Sequence, residues 1–362
     1  MLRIDTHIHY IGDHADCLST LERLELKLLN VCVAHEAGTW RQRADAYRQL
    51  AADHPDRYAW CTTFDPPDGS TDYVERVIDG LATDFSQGAI ACKVWKNIGM
   101  EVRTSSGEFM LVDDPLFDPI YAFLADEERT VLMHIGEPLA CWQPLDEDNL
   151  HAGYYRNHPE WHMYLHPEYP SHQALMDARD QVLDKHPRLR VVGAHLGSLE
   201  YDVAEVAKRL DRYPNFAVDT SARTRDLAAQ DPDAVRAFFV AYSDRILFGT
   251  DLVIRESHAT MDEDRRASAL ERLGQVYARE AAYYEQDALI EVSGRTVAGI
   301  GLPDEVLERF YHKNAELWYP GITLMSAIQE TAGAWDEADH PELATPADID
   351  KWIRDGRGEW RR

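Results

Sequence analysis

Eight short apolar runs, bounded by turn residues and mostly separated by stretches of helical periodicity, constrain the fold of this 362-residue chain more than any other feature. In order they are "LRIDTHIH", "LLNVCVA", "YAWCTTFD", "GAIACKVW", "TVLMHIGE", "LRVVGAHLG", "FAVDTSA" and "RILFGTDL". Between the sixth and seventh, "GSLEYDVAEVAKRLDRYP" places Leu199, Val203, Val206, Ala207 and Leu210 on one helical stripe, and Pro214 follows it. "DYVERVIDGLATDF" does the same with Val74, Val77, Ile78 and Leu81. Strands that alternate with helices pair in parallel. Eight such units predict an α/β fold closed as a (β/α)8 TIM barrel, with an open doubly wound sheet as the competing arrangement.

Two segments break the repeat. The first, 139–171, is rich in Trp, Tyr, His and Pro with little periodicity, and it follows the fifth strand. Loops after barrel strands build the catalytic face, so it reads as a lid-like insertion. The second is the polar, acidic C-terminal tail. The expected organisation is one barrel domain over 1–325 and a peripheral C-terminal extension over 326–362.

Composition narrows the partners. Against 37 Lys and Arg stand 64 Asp and Glu, a net charge of −27. Nucleic-acid backbones and anionic membrane surfaces repel such a chain. No apolar run approaches the length of a membrane span, and "MLRIDTHIHY" lacks the layout of a signal peptide. The five cysteines (Cys17, Cys32, Cys61, Cys92, Cys141) form no C-x-x-C and no even framework, which suits a reducing cytoplasm. The expected partner is a small molecule, and a homo-oligomer is compatible with the composition.

His7 and His9 lie two apart on the first strand, so both rings project to one face and can reach one ion. Lys93 lies in the fourth strand on the face of Ala89, Ala91 and Trp95, His134 ends the fifth, His195 the sixth and Asp251 the eighth. All fall near carboxyl ends, where a barrel collects its active site. Imidazoles with one carboxylate and no thiolate suit zinc first, with manganese, iron or cobalt also compatible.

"IDTHIH", "VLMHIGEP", "VVGAHLGS" and "ILFGTDL", in that order, with "FYHKNAELWY" near the carboxyl end, resemble the amidohydrolase superfamily. Within it the chain is similar to the amidohydrolase-related (amidohydrolase 2) branch, which includes decarboxylases and lactonases. By that resemblance His7, His9 and His134 bind the metal, while Asp251 touches it and serves as acid and base. His195 then polarises the substrate or donates a proton. In the family's binuclear members a fourth-strand lysine bridges two metals, whereas one-metal relatives often carry a lysine near this position without such a bridge; only with two ions would Lys93 take the bridging role here and His195 bind the second ion.

Substrate contacts are expected from Lys93, Arg223, Trp95 and Trp142; Arg255, shortly beyond Asp251, is a similar candidate, and a structural ion pair is the alternative for either arginine. His151, His158, His162, His166 and His172 are too irregularly spaced for a second metal cluster and are expected on the surface or lid. The resulting expectation is a metal-dependent hydrolase that uses a metal-activated water on an amide, ester or lactone of a small, carboxylated substrate. The alternatives are a non-oxidative decarboxylase of an aromatic or unsaturated acid and a barrel that keeps its metal without turnover.

Overall fold

The structure, a computed structural model, describes residues 1–35 and 38–323, which leaves the expected 326–362 extension outside the described residues. All eight apolar runs form strands: β1 (Arg3–Tyr10), β2 (Leu26–Val31), β3 (Tyr58–Thr63), β4 (Ala89–Val94), β5 (Thr130–Met133), β6 (Val191–Gly193), β7 (Phe216–Asp219) and β8 (Ile246–Leu247). Each pairs in parallel with the next in chain order. A doubly wound sheet reverses its strand order at a switch point, and no reversal occurs here.

The last strand returns to the first. The Thr6 N–H donates to the Phe248 carbonyl at 2.9 Å and the Asp251 N–H to the His7 carbonyl at 2.8 Å. A ninth short strand, β9 (Val253–Ile254), continues this edge, with His9 opposite Val253 and Tyr10 opposite Ile254. Asp251 is therefore stitched beside His7 and His9 by backbone hydrogen bonds.

Inside the ring, Val31, Cys61, Ala91, Leu132, Val192 and Ala217 belong to one buried cluster, so the lumen is a packed core of branched and small side chains and not a pore. Alternation then decides which polar residues point inward. In β4, Ala91 belongs to the inner cluster while Cys92 and Val94 join the outer core, which places Lys93 inside. In β1 the register against β2 shifts between Asp5 and Ile8, so Ile4 joins the inner cluster while Ile8 and Tyr10 join the outer core. That irregularity lets Ile4 and His7 share the inward side despite their odd spacing.

Helices fill the outside as their apolar stripes require. Tyr73–Ser86 buries Val77, Leu81 and Phe85 at four-residue intervals. Val203–Arg212 begins later than its stripe suggests: Asp202 caps it by accepting from the Ala204 N–H at 2.8 Å, and Leu199 is buried in the turn before. "FYHKNAELWY" is helical almost to its end, through Arg309–Lys313 and Asn314–Trp318. Trp318, Tyr319 and Ile322 join the inner cluster and close the barrel floor. Asn314 secures this plug by donating from Nδ2 to the carbonyls of Ser243 and Ile246 at 2.8 and 2.7 Å. A hairpin of Leu289–Val292 and Arg295–Ala298 was not foreseen; Ser293 and Gly294 at its turn have φ of 51° and 77°, the signs a two-residue turn demands. Among the described residues no helix is long and apolar enough to cross a membrane.

Candidate active site

His7, His9 and Asp251 meet at the open end of the ring. Asp251 Oδ1 lies 3.3 Å from His9 Nε2 and 3.9 Å from His7 Nε2. Ligands about 2.0–2.2 Å from a common tetrahedral centre are separated by about 3.3–3.6 Å, so the two spacings bracket that geometry. One donor atom from each of the three lies within 4.8 Å of the others. Two imidazoles and a carboxylate fit a divalent cation in chemistry as well as distance. His134, directly after β5, is not in this group; its ring faces His195 with centroids 4.3 Å apart.

A second carboxylate stands behind the trio. Asp219, at the end of β7, accepts from His7 Nδ1 at 3.0 Å, from the His195 N–H at 2.8 Å and from the Ser221 N–H at 3.1 Å. A carboxylate on Nδ1 fixes the tautomer of His7 and leaves the Nε2 lone pair for a cation or a donor. In this structure that lone pair accepts from Lys93 Nζ at 3.0 Å. His195 Nδ1 lies 2.8 Å from the Ser221 carbonyl, which can only accept, so Nδ1 carries the proton and Nε2 is the basic atom. Asp219 was not singled out in the sequence, although an acid ending an otherwise apolar buried strand is a signal that burial there needs a partner.

The loops that carry these groups are strained. His195, Leu196, Gly197 and Ser198 have φ of 59°, 58°, 63° and 58°, a left-handed turn of which only the glycine is unstrained. Asp251 and Ala222 add φ of 54° and 55°. Such conformations persist only where surrounding contacts impose them. Here Arg179, fully buried, donates from Nη1 to the Gly197 carbonyl at 2.6 Å, Ser198 Oγ donates to the Gly136 carbonyl at 3.0 Å, and His172 Nε2 donates to the Ser198 carbonyl at 2.8 Å.

Burial dominates the electrostatics. It pulls His9 down to about 4 and His134 and His195 well below the ordinary imidazole value, so these rings are neutral donors at pH 7. Burial also lowers Lys93 to about 8, against the pull of Asp219 and Asp251. On Asp251 burial is opposed and outweighed by the His9 hydrogen bond and the surrounding imidazoles, which hold its carboxyl below the ordinary range. Asp219 is held down in the same way, burial being outweighed chiefly by His7.

The remaining expected residues make contacts of their own. Arg223, after β7, is buried with Nε lacking a hydrogen-bond partner, and Asp226, Glu200 and Glu137 are its charged neighbours. Trp95 packs edge-on against His35. Trp142 donates from Nε1 to the Pro170 carbonyl at 3.1 Å, tying one end of the 139–171 insertion to the other. The insertion is pinned to the barrel by polar contacts. His151 Nε2 meets Asp226 Oδ1 at 2.6 Å, and Tyr155 donates to Glu137, which also pairs with Lys96. His162 and His172 bond to the carbonyls of Gln143 and Ser198, while His158 and His166 sit beside Glu160 and Glu168. These five histidines, four in the insertion and His172 at the start of the next helix, thus have separate partners, as their spacing suggested, but His151, His162 and His172 are buried by those contacts instead of lying on the surface.

A family model described as amidohydrolase matches residues 31–321. The chain belongs to the amidohydrolase family. The match begins after β1, so the place of His7 and His9 in the site rests on the geometry above. Among solved structures, the amidohydrolase chain is similar to 4-oxalomesaconate hydratase from Rhodopseudomonas palustris, with a TM-score of 0.53, 13% identity, and coverage of 92% of this chain and 99% of that one. It is similar to a putative amidohydrolase from Staphylococcus aureus, with a TM-score of 0.50, 15% identity, and coverage of 88% and 99%. At these identities the likeness establishes the shared fold. No curated protein sequence matches the chain.

Proposed function

We propose that this amidohydrolase is a metal-dependent hydrolase of an amide, ester or lactone bond in a small carboxylated molecule. The observation that carries the reading is the convergence of His7 Nε2, His9 Nε2 and Asp251 Oδ1 at the barrel mouth, with Asp219 holding His7 from behind. These three residues, with His134 completing the set, would hold a divalent ion, zinc first among several the donors suit. Such an ion supplies Lewis acidity and a water acidic enough to lose a proton near neutral pH. Asp251, ionised at pH 7, takes the proton of the attacking water and returns it to the leaving group. His195, through Nε2, hydrogen-bonds the substrate at the reacting carbonyl. Lys93, buried against His7 Nε2, supplies a cation for the developing negative charge. One ion is the primary reading; with two, Lys93 and His195 become ligands.

Arg223 clamps a substrate carboxylate, and Trp95 and Trp142 form the apolar wall. In this reading residues 1–325 are the catalytic barrel and 139–171 its lid. Its five cysteines are free and buried, which suits a cytoplasmic enzyme.

The test is metal content by elemental analysis, together with turnover of a panel of lactones, esters, amides and aromatic acids with released CO2 recorded. Hydrolysis that falls at least ~100-fold in Asp251→Asn, without CO2, supports the reading. CO2 release without consumption of water transfers the site to decarboxylation. A wild-type protein that takes up no divalent metal refutes both.

A further inference from the structure

Two guanidiniums at the barrel mouth have no part in the reaction outlined above. Arg43 lies in the first turn of the helix Arg41–Asp53, which follows β2, and Arg255 is the residue directly after β9. β2 and β9 are the two neighbours of β1, so these arginines flank the strand whose end carries His9. A helix after a barrel strand runs back down the outside, which puts its first turn at the mouth. Tyr47 lies four residues beyond Arg43 and so shares its face. It is fully buried, yet its hydroxyl has no hydrogen-bond partner.

Neither the Arg43 nor the Arg255 guanidinium has a salt bridge or hydrogen bond among the described residues. They are electrostatic neighbours: partial burial and then Arg43 hold Arg255 below the ordinary guanidinium value, with Tyr47 and Asp251 pulling the other way. Two like charges are therefore left beside one unsatisfied buried hydroxyl, in a chain with 64 acidic residues available to neutralise them. Arg255 borders an open crevice of about 520 Å³, and Arg43 is itself partly exposed. Two planar forks and a phenolic O–H are the donor set that an oxyanion group demands.

The geometry points to an anion-binding subsite formed by Arg43, Arg255 and the Tyr47 hydroxyl on the β1–β2 side of the centre, which takes a carboxylate or phosphate carried by the substrate away from the bond that breaks. This rests on the reading of His7, His9 and Asp251 as the reacting centre. It adds a second recognition point across that centre from Arg223 on the β7 side.

Inorganic phosphate titrated calorimetrically into the metal-free full-length protein tests the subsite without the metal. Saturable binding, weakened at least ~10-fold by Arg43→Gln and by Arg255→Gln and about 3-fold by Tyr47→Phe, is the expected result, with melting temperatures unchanged. Phosphate that does not saturate by about 10 mM, or binding that survives both arginine substitutions, overturns the subsite. In the zinc-loaded protein, isophthalate or terephthalate should bind at least ~10-fold more tightly than benzoate, and Arg255→Gln should abolish the difference. Equal affinity for the mono- and dicarboxylates overturns its placement beside the centre. Phosphate binding as expected in a protein that takes up no divalent metal retains the subsite and refutes the metal-centre reading instead.

Discussion

Replacing Asp219 by asparagine removes one negative charge and little volume from a position no solvent reaches. The native carboxylate accepts from His7 Nδ1, the His195 N–H and the Ser221 N–H at 3.0, 2.8 and 3.1 Å. An asparagine oxygen can keep the two backbone donors, since both use Oδ1. Its amide nitrogen then faces His7 Nδ1. Either two donors confront each other, or His7 moves its proton to Nε2 and loses the lone pair directed at the centre. The first outcome costs about 1–3 kcal/mol for an unsatisfied buried donor, and loss of the charge-assisted bond adds a comparable amount. The second weakens metal affinity directly, and loss of a carboxylate behind a ligating histidine typically costs about 10–100-fold, or about 1.4–2.7 kcal/mol. Competition of zinc between the protein and a calibrated chelator measures affinity, and a denaturant titration measures stability. Asp219→Asn is expected to lose at least ~10-fold in zinc affinity and about 2–4 kcal/mol in stability. An affinity within about 3-fold of wild type, in a variant of unchanged stability, would refute the claim that Asp219 orients His7.

His195→Asn should keep its zinc and its melting temperature, because asparagine tolerates a φ of 59°, while turnover falls at least ~100-fold; loss of zinc in this variant would instead make His195 a ligand. Glu200, buried, has its pKa raised from 4.5 to about 7, chiefly by desolvation. The folded protein therefore holds a proton that the unfolded chain releases between these values, and stability falls as pH rises through that window by up to about 3 kcal/mol. In Glu200→Gln the stability difference between pH 5 and pH 8 should shrink by about that amount, and a difference equal to wild type would refute the assignment. Ala222→Gly, at an exposed position with a φ of 55°, should raise stability by about 0.5–1 kcal/mol in urea titrations; destabilisation would mean that the left-handed backbone there costs nothing.

The barrel was legible because its signal is local and repeated: each apolar run is one strand, and the sum of eight selects a ring. Inward placement of Lys93 followed from the period-two rule because β4 is regular from Ala91 to Val94; the register shift against β3 at Ala89–Ala91 lies before it and leaves Ala89, expected on the same face, in the outer core. The same rule applied to β1 gives His7 and His9 one face, but it cannot foresee the irregularity between Asp5 and Ile8 that puts Ile4 inside with them. The left-handed turn of "GAHLGS" was equally hidden. Three non-glycine residues there adopt positive φ because His172 and Arg179 of one helix, the Gly136 carbonyl and Asp219, drawn from three separate parts of the chain, hold the turn. Asp219 itself lay in a recognised strand, and its partners His7 and His195 are too distant in sequence for any window to join them. The floor made by Trp318, Tyr319 and Ile322 was invisible for another reason: an apolar helix face says that it will be covered, not by what.

That floor also sets the order of assembly. β1 is hydrogen-bonded on one side to β2 and on the other to residues 248–254, and the lumen is sealed only by side chains beyond residue 314. A nascent chain can stack its first strands while still on the ribosome, but His7 and His9 cannot meet Asp251 until the last quarter of the barrel has emerged. Cation uptake, timed during synthesis or refolding, would then mark ring closure itself, which makes this centre a built-in clock for the final step of folding.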